Sequence, residues 1–287
     1  GFDAAANVTP DAAHCPTTLP LLLAGKHVLC EKPLATSADD AAAMQHAAAL
    51  AGVVNMVNLS YRNVPALQKA ATLVRDGAIG AVRHFEASYL QSWLTQPAWG
   101  EWSTEPQWLW RLSTAHGSKG VLGDVGIHIL DFATFIAGEA ATEISARLAT
   151  FDKAPGNRIG DYALDANDSA TMQLRLSGGA LGVVHATRLA SGHLNDLRLR
   201  IYGDRGGLEV RFENAVSSLS ACLGDDMPGA IWREVDCPPV PTVYQRFIAA
   251  IRGEGQAEPG FARGAALQTL LDRAEDSAAR NGLALAP

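Results

Sequence analysis

The chain has 287 residues, of which 48% are apolar and 18% are charged, and 30 acidic side chains against 23 basic ones give a net charge of −7. This composition is typical of a globular protein of about two domains, and it excludes collagen-like, coiled-coil and disordered chains. The apolar runs are too short to cross a bilayer. The negative charge gives no general attraction to phosphate backbones, so we expect neither a membrane nor a nucleic acid as a partner.

The first 58 residues alternate short apolar strands with helices. Strands are predicted at residues 4–8, 28–30 and 53–58, and helices at residues 13–24 and 37–51. Ser37 is a typical helix N-cap, while Gly25 and Gly52 are typical residues for ending a helix. This alternation predicts an α/β layer with a parallel sheet.

After residue 59 the pattern changes to one typical of an antiparallel sheet. Helices are predicted at residues 65–76, 121–136, 243–252 and 262–280, and strands at residues 82–90, 169–176, 181–189 and 197–202. Residues 91–119 are rich in tryptophan, proline and glycine and are predicted to form an ordered loop. Asp204-Arg205-Gly206-Gly207 is predicted to be a hairpin turn. We therefore expect a second, α+β segment with a large, mostly antiparallel sheet.

The four cysteines lie too far apart in the sequence to match a zinc or redox pair. We predict that they are reduced, mostly buried thiols, and we take the cytoplasm as the expected location. The chain begins Gly1-Phe2-Asp3 without an initiator methionine. We therefore expect the gene product to start further upstream, where a targeting signal would also lie.

One candidate catalytic motif is Glu31-Lys32-Pro33, which follows the predicted strand at residues 28–30. Ligands of open α/β sheets bind at the carboxyl ends of the strands. Pro33 restricts the backbone of Lys32 to extended conformations, and an ammonium group fixed there could stabilise charge developing on a substrate oxygen. The alternative interpretation is an ordinary surface lysine beside a turn.

A second candidate motif pairs Asp124 with His128 on the predicted helix at residues 121–136. The spacing of four residues places both side chains on one helix face. A carboxylate and an imidazole aligned in this way can relay a proton, and both could also bind a metal. The alternative is an acidic residue near a helix N-terminus and a histidine satisfied in the core.

Taken together and in this order, the two motifs resemble the Gfo/Idh/MocA family of NAD(P)-dependent oxidoreductases. Two further segments match. Asn7-Val8-Thr9-Pro10 with His14 is similar to a strand-end turn of that family, and Ser60-Tyr61-Arg62 is similar to the start of its second domain. The resemblance covers most of the chain and is strongest from residue 4 to residue 138.

The resemblance implies a Rossmann domain, with residues 1–58 as its C-terminal portion, followed by a substrate-binding and oligomerisation domain at residues 59–287. It implies NAD or NADP as cofactor and hydride transfer to or from the CH–OH or C=O group of a sugar, polyol or related compound. Many relatives are homo-oligomers, so we expect one here. The identity of the substrate and the choice between NAD and NADP stay open.

The resemblance also assigns roles to individual residues. Lys32 would stabilise the alkoxide-like oxygen, His128 would accept the hydroxyl proton, and Asp124 would position the substrate or His128. Some relatives give the proton to the lysine, so the acceptor stays open between Lys32 and His128. The residues expected at the cofactor are Thr9, Pro10, His14, Glu31, Lys32 and Pro33. Those expected at the substrate are Arg62, Trp110, Arg111 and His116. No metal is expected.

The Gly-rich G-x-G-x-x-G turn of Rossmann domains is absent from these residues. We therefore predict a family member that lacks the first strands of that domain, with residues 4–8 at an unpaired sheet edge. One alternative is a non-catalytic small-molecule-binding or assembly protein derived from the family. Another is a metal-dependent hydrolase or lyase that uses Asp124, His128 and His116.

Overall fold

The computed structural model describes residues 1–287, which form two compact units. The first unit contains residues 1–63 and 241–272, and the second contains residues 64–240 and 273–287. The predicted functions of segments 1–58 and 59–287 stay predictions. None of the helices combines the length and the apolar character that crossing a bilayer would need.

The first unit is built on a three-stranded parallel sheet with the strand order β1-β2-β3. Neighbouring parallel strands need crossover connections, and helices supply them here. The elements are β1 (Ala4–Asn7), α1 (His14–Leu23), β2 (His27–Cys30), α2 (Ala38–Ala51) and β3 (Asn55–Val57). The predicted alternation and the parallel sheet are confirmed, and β1 forms one edge of the sheet.

Local sequence sets the helix boundaries in this unit. The Oγ atom of Ser37 accepts a hydrogen bond from the backbone amide of Asp40 at 3.2 Å and so caps α2. This satisfies an amide that the helix leaves without an internal partner. Gly52 follows α2 with a φ of 63°, a left-handed conformation that favours glycine. Both predicted ends of α2 are confirmed.

Two C-terminal helices are α6 (Val243–Ile251) and α7 (Phe261–Ala279). The first of them completes the core of the first unit, in an apolar cluster formed by Leu29, Met56, Val243 and Phe247. The helices predicted at residues 243–252 and 262–280 are confirmed. Residues 241–272 nevertheless pack with the first unit, although the sequence pattern grouped them with the second segment.

The second unit contains an eight-stranded sheet with the order β13-β12-β11-β10-β4-β9-β8-β5. Only β4 and β9 pair in parallel, so the predicted mostly antiparallel sheet is confirmed. The strands are β4 (Val82–Leu90), β5 (Ala141–Ala149), β8 (Ser169–Leu176), β9 (Leu181–Thr187), β10 (Asp196–Gly203), β11 (Gly206–Glu213), β12 (Val216–Leu223) and β13 (Arg233–Glu234). A separate two-stranded sheet pairs β6 (Arg158–Ile159) with β7 (Tyr162–Ala163).

Three helices belong to the second unit: α3 (Pro65–Arg75), the single turn α4 (Pro106–Leu109) and α5 (Ile127–Ala137). The tryptophan-rich loop at residues 91–119 is ordered, as predicted. Its residues Trp93, Leu109 and Leu112 form a buried apolar cluster together with Leu164. The predicted hairpin turn is confirmed: Asp204 and Arg205 form a two-residue turn between β10 and β11, and Gly206 and Gly207 begin β11. All four cysteines are free thiols, as expected, but only Cys30 and Cys222 are buried; Cys15 and Cys237 are partly exposed.

Candidate active site

The carboxyl ends of the three parallel strands carry a polar cluster formed by Asn7, Glu31 and Asn58. The Nδ2 atom of Asn58 donates to the Glu31 carboxylate at 2.6 Å and to the hydroxyl of Tyr244 at 3.1 Å. The backbone amide of Glu31 donates to the carbonyl of Asn7 at 2.9 Å. This is the sheet edge at which α/β proteins bind ligands. Sequence reasoning identified Glu31 here but missed Asn58 and Tyr244.

His14 connects the two turns that are expected at the cofactor. One of its ring nitrogens lies 2.7 Å from the carbonyl oxygen of Pro33, and the other lies 2.9 Å from the carbonyl oxygen of Thr9. The Oδ1 atom of Asn7 accepts from both the amide and the hydroxyl of Thr9, at 3.2 and 2.7 Å. The structure therefore brings the Thr9-Pro10 turn and the Glu31-Lys32-Pro33 turn together around one buried imidazole.

Lys32 is the second residue after β2 and is half-buried. Its backbone amide donates to the Oε2 atom of Glu31 at 3.2 Å, and its peptide bond to Pro33 is cis. Arg62, which was expected at the substrate, is buried in this same unit. Its carbonyl oxygen accepts hydrogen bonds from the guanidinium of Arg246. Burial, together with the nearby charge of Arg62, lowers the pKa of Arg246.

In the second unit, Asp124 lies in a π-helical turn, Leu122–Gly126, that leads into α5. The continuous α-helix predicted from residue 121 is therefore corrected. A Cβ atom on Gly123 would lie 2.4 Å from the Cβ atom of Lys119, so the close approach of the backbone here requires glycine. Turns of this kind are frequent at functional sites.

Asn167 fixes the start of the helical segment that carries Asp124 and His128. Its carbonyl oxygen accepts from the amide of Val121 at 2.7 Å, and its Oδ1 atom accepts from the amide of Leu122 at 3.0 Å. Gly120, with a φ of 64°, passes so close that a Cβ atom would lie 2.5 Å from the Asn167 side-chain amide. These bonds satisfy amides that a helix start leaves unpaired.

Asp124 and His128 differ in exposure. The side chain of Asp124 is 28% exposed and accepts from the Nη2 atom of Arg188 at 3.0 Å. His128 is buried, with its ring centroid 6.5 Å from that of Tyr89. Tyr89 in turn donates to the Oδ1 atom of Asn195 at 2.8 Å. The site thus contains a partly accessible carboxylate and an imidazole enclosed by protein.

Of the loop residues expected at the substrate, Arg111 stacks on two tryptophans, with its guanidinium carbon 4.6 Å from the ring centroid of Trp110 and 5.4 Å from that of Trp108. Its carbonyl oxygen accepts from Arg188 at 3.1 Å. His116 is exposed and packs against Tyr162 with ring centroids 4.4 Å apart. The structure therefore links Arg111 to Asp124 through Arg188, a residue that sequence reasoning missed.

The hydrolase alternative would use a metal site at Asp124, His128 and His116, and these three residues are not a group whose ligand atoms lie within 4.8 Å of one another. Three candidate ligand atoms do come within 4.8 Å of one another elsewhere, at His193, Asp196 and Glu213. However, Arg198 donates to both carboxylate oxygens of Asp196, each at 2.9 Å. A guanidinium so placed repels a second cation.

The Asp196 ion pair gives a prediction about pH and stability. Burial alone would raise the pKa of Asp196, but hydrogen bonds from Arg198 and His193 hold that pKa below its ordinary value of 3.8. A lowered pKa means that the ionised group stabilises the folded state above the unfolded-state pKa, and that this contribution disappears as the pH falls through the folded-state pKa. Asp196→Asn should lower the free energy of unfolding by about 2 kcal/mol at pH 7.

Urea unfolding at several pH values checks this. The gap between wild type and Asp196→Asn should shrink below pH 3.8. The exposed Asp225 provides a control, since Asp225→Asn should change the stability by less than about 0.5 kcal/mol. A gap for Asp196→Asn that is the same at every pH would contradict the argument.

Comparison with known proteins decides the family. The Rossmann-fold, NAD-binding model of the oxidoreductase family matches residues 1–59, and the GFO/IDH/MocA C-terminal domain model matches residues 67–209. An oxidoreductase domain protein from Kribbella flavida has a similar structure, with a TM-score of 0.86 and 33% identity over 99% of this chain and 80% of its own. The chain belongs to the Gfo/Idh/MocA family of oxidoreductases.

Two further comparisons are with levoglucosan dehydrogenase. The enzyme from Pseudarthrobacter phenanthrenivorans is 28% identical over 95% of this chain and 77% of its own length. A structure of levoglucosan dehydrogenase in complex with NADH and levoglucosan has a TM-score of 0.86 and 26% identity, and covers 99% of this chain and 80% of that one. The predicted Gfo/Idh/MocA resemblance, fold, oxidoreductase class and nicotinamide cofactor are thereby confirmed. The roles of individual residues stay predictions.

Proposed function

We propose that this chain transfers a hydride between NAD or NADP and the CH–OH or C=O group of a sugar or polyol. The observation that carries the proposal is a partly exposed Asp124, held by a buried arginine, four residues before a buried His128 on one helical segment. That arrangement suits proton transfer to or from a substrate hydroxyl. The similarity to levoglucosan dehydrogenase, a protein named for a sugar substrate, supports the substrate class.

The carboxyl edge of the parallel sheet fits a dinucleotide. The Oδ1 atom of Asn58 is buried there without a hydrogen-bond partner, beside the Glu31 carboxylate. Such an acceptor fits a ligand that brings N–H or O–H donors, as the carboxamide and ribose groups of a nicotinamide dinucleotide do. The residues proposed to hold it are Thr9, Pro10, His14, Glu31, Lys32 and Pro33. A nicotinamide dinucleotide held by these residues would supply the acceptor or the donor of the hydride.

Oxidation of a carbinol removes a hydride from carbon and a proton from oxygen. In our proposal His128 accepts the proton, the Lys32 ammonium stabilises the negative charge that develops on the oxygen, and Asp124 orients His128 or the substrate. In the alternative form of the proposal, Lys32 accepts the proton. Because His128 is enclosed by protein, bulk water would not compete for its ring nitrogens.

We propose that the substrate is bound by Arg62, Trp110, Arg111 and His116. Tryptophan faces suit the apolar faces of sugar rings, and guanidinium groups supply several hydrogen-bond donors to hydroxyl groups. Homo-oligomerisation, a cytoplasmic location and the absence of nucleic-acid, membrane and metal partners stay predictions.

Cofactor titration and a substrate panel test the proposal on the full chain. We expect saturable binding of NAD(H) or NADP(H), followed by nicotinamide fluorescence, and cofactor-dependent oxidation of at least one sugar or polyol in a panel that includes levoglucosan and inositol. No binding at millimolar cofactor would contradict the proposal. Binding without turnover of any panel member would favour the non-catalytic alternative, and stoichiometric bound transition metal would favour the hydrolase.

A further inference from the structure

Arg188 lies directly after β9 and is completely buried, with none of its side chain exposed. Moving a guanidinium out of water costs several kcal/mol unless it is paired and hydrogen-bonded. The groups that pair with the Arg188 guanidinium therefore indicate the role of this buried charge.

Both polar contacts of the guanidinium end go to residues of the candidate site. The Nη2 atom donates to the Oδ2 atom of Asp124 at 3.0 Å, and the Nη1 atom donates to the carbonyl oxygen of Arg111 at 3.1 Å. The guanidinium carbon lies 4.9 Å from the ring centroid of Trp93, within the range of cation–π attraction. One group thus joins Asp124 to the loop that is proposed to bind the substrate.

The backbone of Arg188 is fixed as firmly as its side chain. Its amide donates to the carbonyl of Asp168 at 3.1 Å, and its carbonyl accepts from the amide of Leu94 at 3.2 Å. Asp168 is itself buried and forms an ion pair with Lys153 at 2.6 Å. The guanidinium therefore projects from a rigid support, as an element that orients another group must.

The ion pair is asymmetric. Arg188 is inaccessible to water, while the side chain of Asp124 is 28% exposed. Burial lowers the pKa of Arg188, and the Asp124 carboxylate opposes that effect. Because the attraction is mutual, the buried cation also favours the ionised form of Asp124. Buried ion pairs contribute little to stability compared with apolar residues of the same volume, so a role in orientation explains this pair better than a role in folding.

We propose that Arg188 is a positioning residue of the oxidoreductase reaction, which holds the Asp124 carboxylate in one orientation and fixes the Arg111 segment to the same point. It acts through these two groups. This inference rests on the proposed function.

The test compares Arg188→Met with Arg188→Lys in the full chain. The Met variant should lower kcat about 30-fold, because the carboxylate loses its orientation. It should also move the acidic limb of the pH profile of kcat to higher pH, because without the positive charge Asp124 is protonated at higher pH and the orienting carboxylate is lost sooner as the pH falls. NADH affinity should stay within about 3-fold. The Lys variant keeps the charge but not the two-pronged geometry, so its acidic limb should stay in place and its kcat should lie between the other two.

Arg198→Met is the matched control, because it removes another arginine that pairs with a buried aspartate in the same unit. It should lower the unfolding temperature without moving the pH profile. In a double-mutant cycle, Arg188→Met should cause a much smaller loss of kcat once Asp124→Asn is present, because only its contact with the Arg111 segment then remains to be lost.

Two results would overturn the proposal: a kcat for Arg188→Met within about 3-fold of wild type, or a shift of the acidic limb by Arg198→Met as large as that caused by Arg188→Met. If Arg188→Met does not fold, Arg188→Lys alone decides the proposal. This variant must then lower kcat without shifting the acidic limb of the pH profile. The wild-type rate is measured first. An inactive wild type refutes the proposed function, whereas an active wild type with unaffected Arg188 variants refutes only this inference.

Discussion

Replacing Lys32 with methionine is expected to lower kcat for sugar or polyol oxidation by about 100-fold or more. Lys32 is the second residue after β2, next to Glu31 of the polar cluster that Glu31 and Asn58 form at this sheet edge. Methionine keeps a similar length but removes the ammonium, so no positive charge would stabilise the developing oxyanion. Steady-state kinetics with saturating cofactor measures the effect, and nicotinamide fluorescence checks that cofactor binding is retained.

Lys26→Met is the matched control, because Lys26 lies in the same unit just before β2 and contacts the ring of Phe2 instead, at 5.6 Å. It should leave kcat unchanged. Lys32→Arg separates the two proposed roles: arginine keeps the charge but does not give up its proton. Partial activity of Lys32→Arg would indicate charge stabilisation, and a loss as large as that in Lys32→Met would indicate proton transfer. Near-normal kcat for Lys32→Met would remove Lys32 from the mechanism.

The elements of the fold could be predicted where local chemistry decides them. Ser37, Gly25 and Gly52 mark helix ends because capping and left-handed backbone depend on the residue type itself. The antiparallel strands could be predicted because polar and apolar side chains alternate along them. In Ser169–Leu176 the apolar positions are buried and the polar ones are more exposed. The location of residues 241–272 could not be predicted, because an amphipathic helix shows which face is apolar but not which surface it covers.

The features of the candidate site also fall into those that local sequence predicts and those that depend on the folded chain. The predicted pairing of Asp124 with His128 depends only on local sequence, because it rests on a spacing of four residues. Its support is not local: Asn167 and Arg188 reach this helix from 45 and 64 positions away. An arginine at the end of a strand normally indicates an exposed side chain. A single sequence gave no sign that this one is buried, because its burial depends on partners that only the folded chain brings to it.

His128→Gln is the second variant expected to have a large effect, with a loss in kcat of about 100-fold or more. Glutamine is polar and similar in size, but its amide does not accept a proton near neutral pH. Because His128 is buried beside Tyr89, no water is expected to replace it as the proton acceptor. Steady-state kinetics across a range of pH measures the loss, and NADH affinity should change little.

His185→Gln is the control, since His185 lies in β9 of the same unit and outside the proposed site; burial lowers its pKa. It should keep a near-normal kcat. The double variant Lys32→Met/His128→Gln then tests whether the two groups serve one reaction. Residues that act on the same transition state give losses that fall well short of multiplying. A double variant whose loss equals the product of the single losses would mean that Lys32 and His128 contribute independently, and the shared carbinol of the proposed mechanism would have to be abandoned.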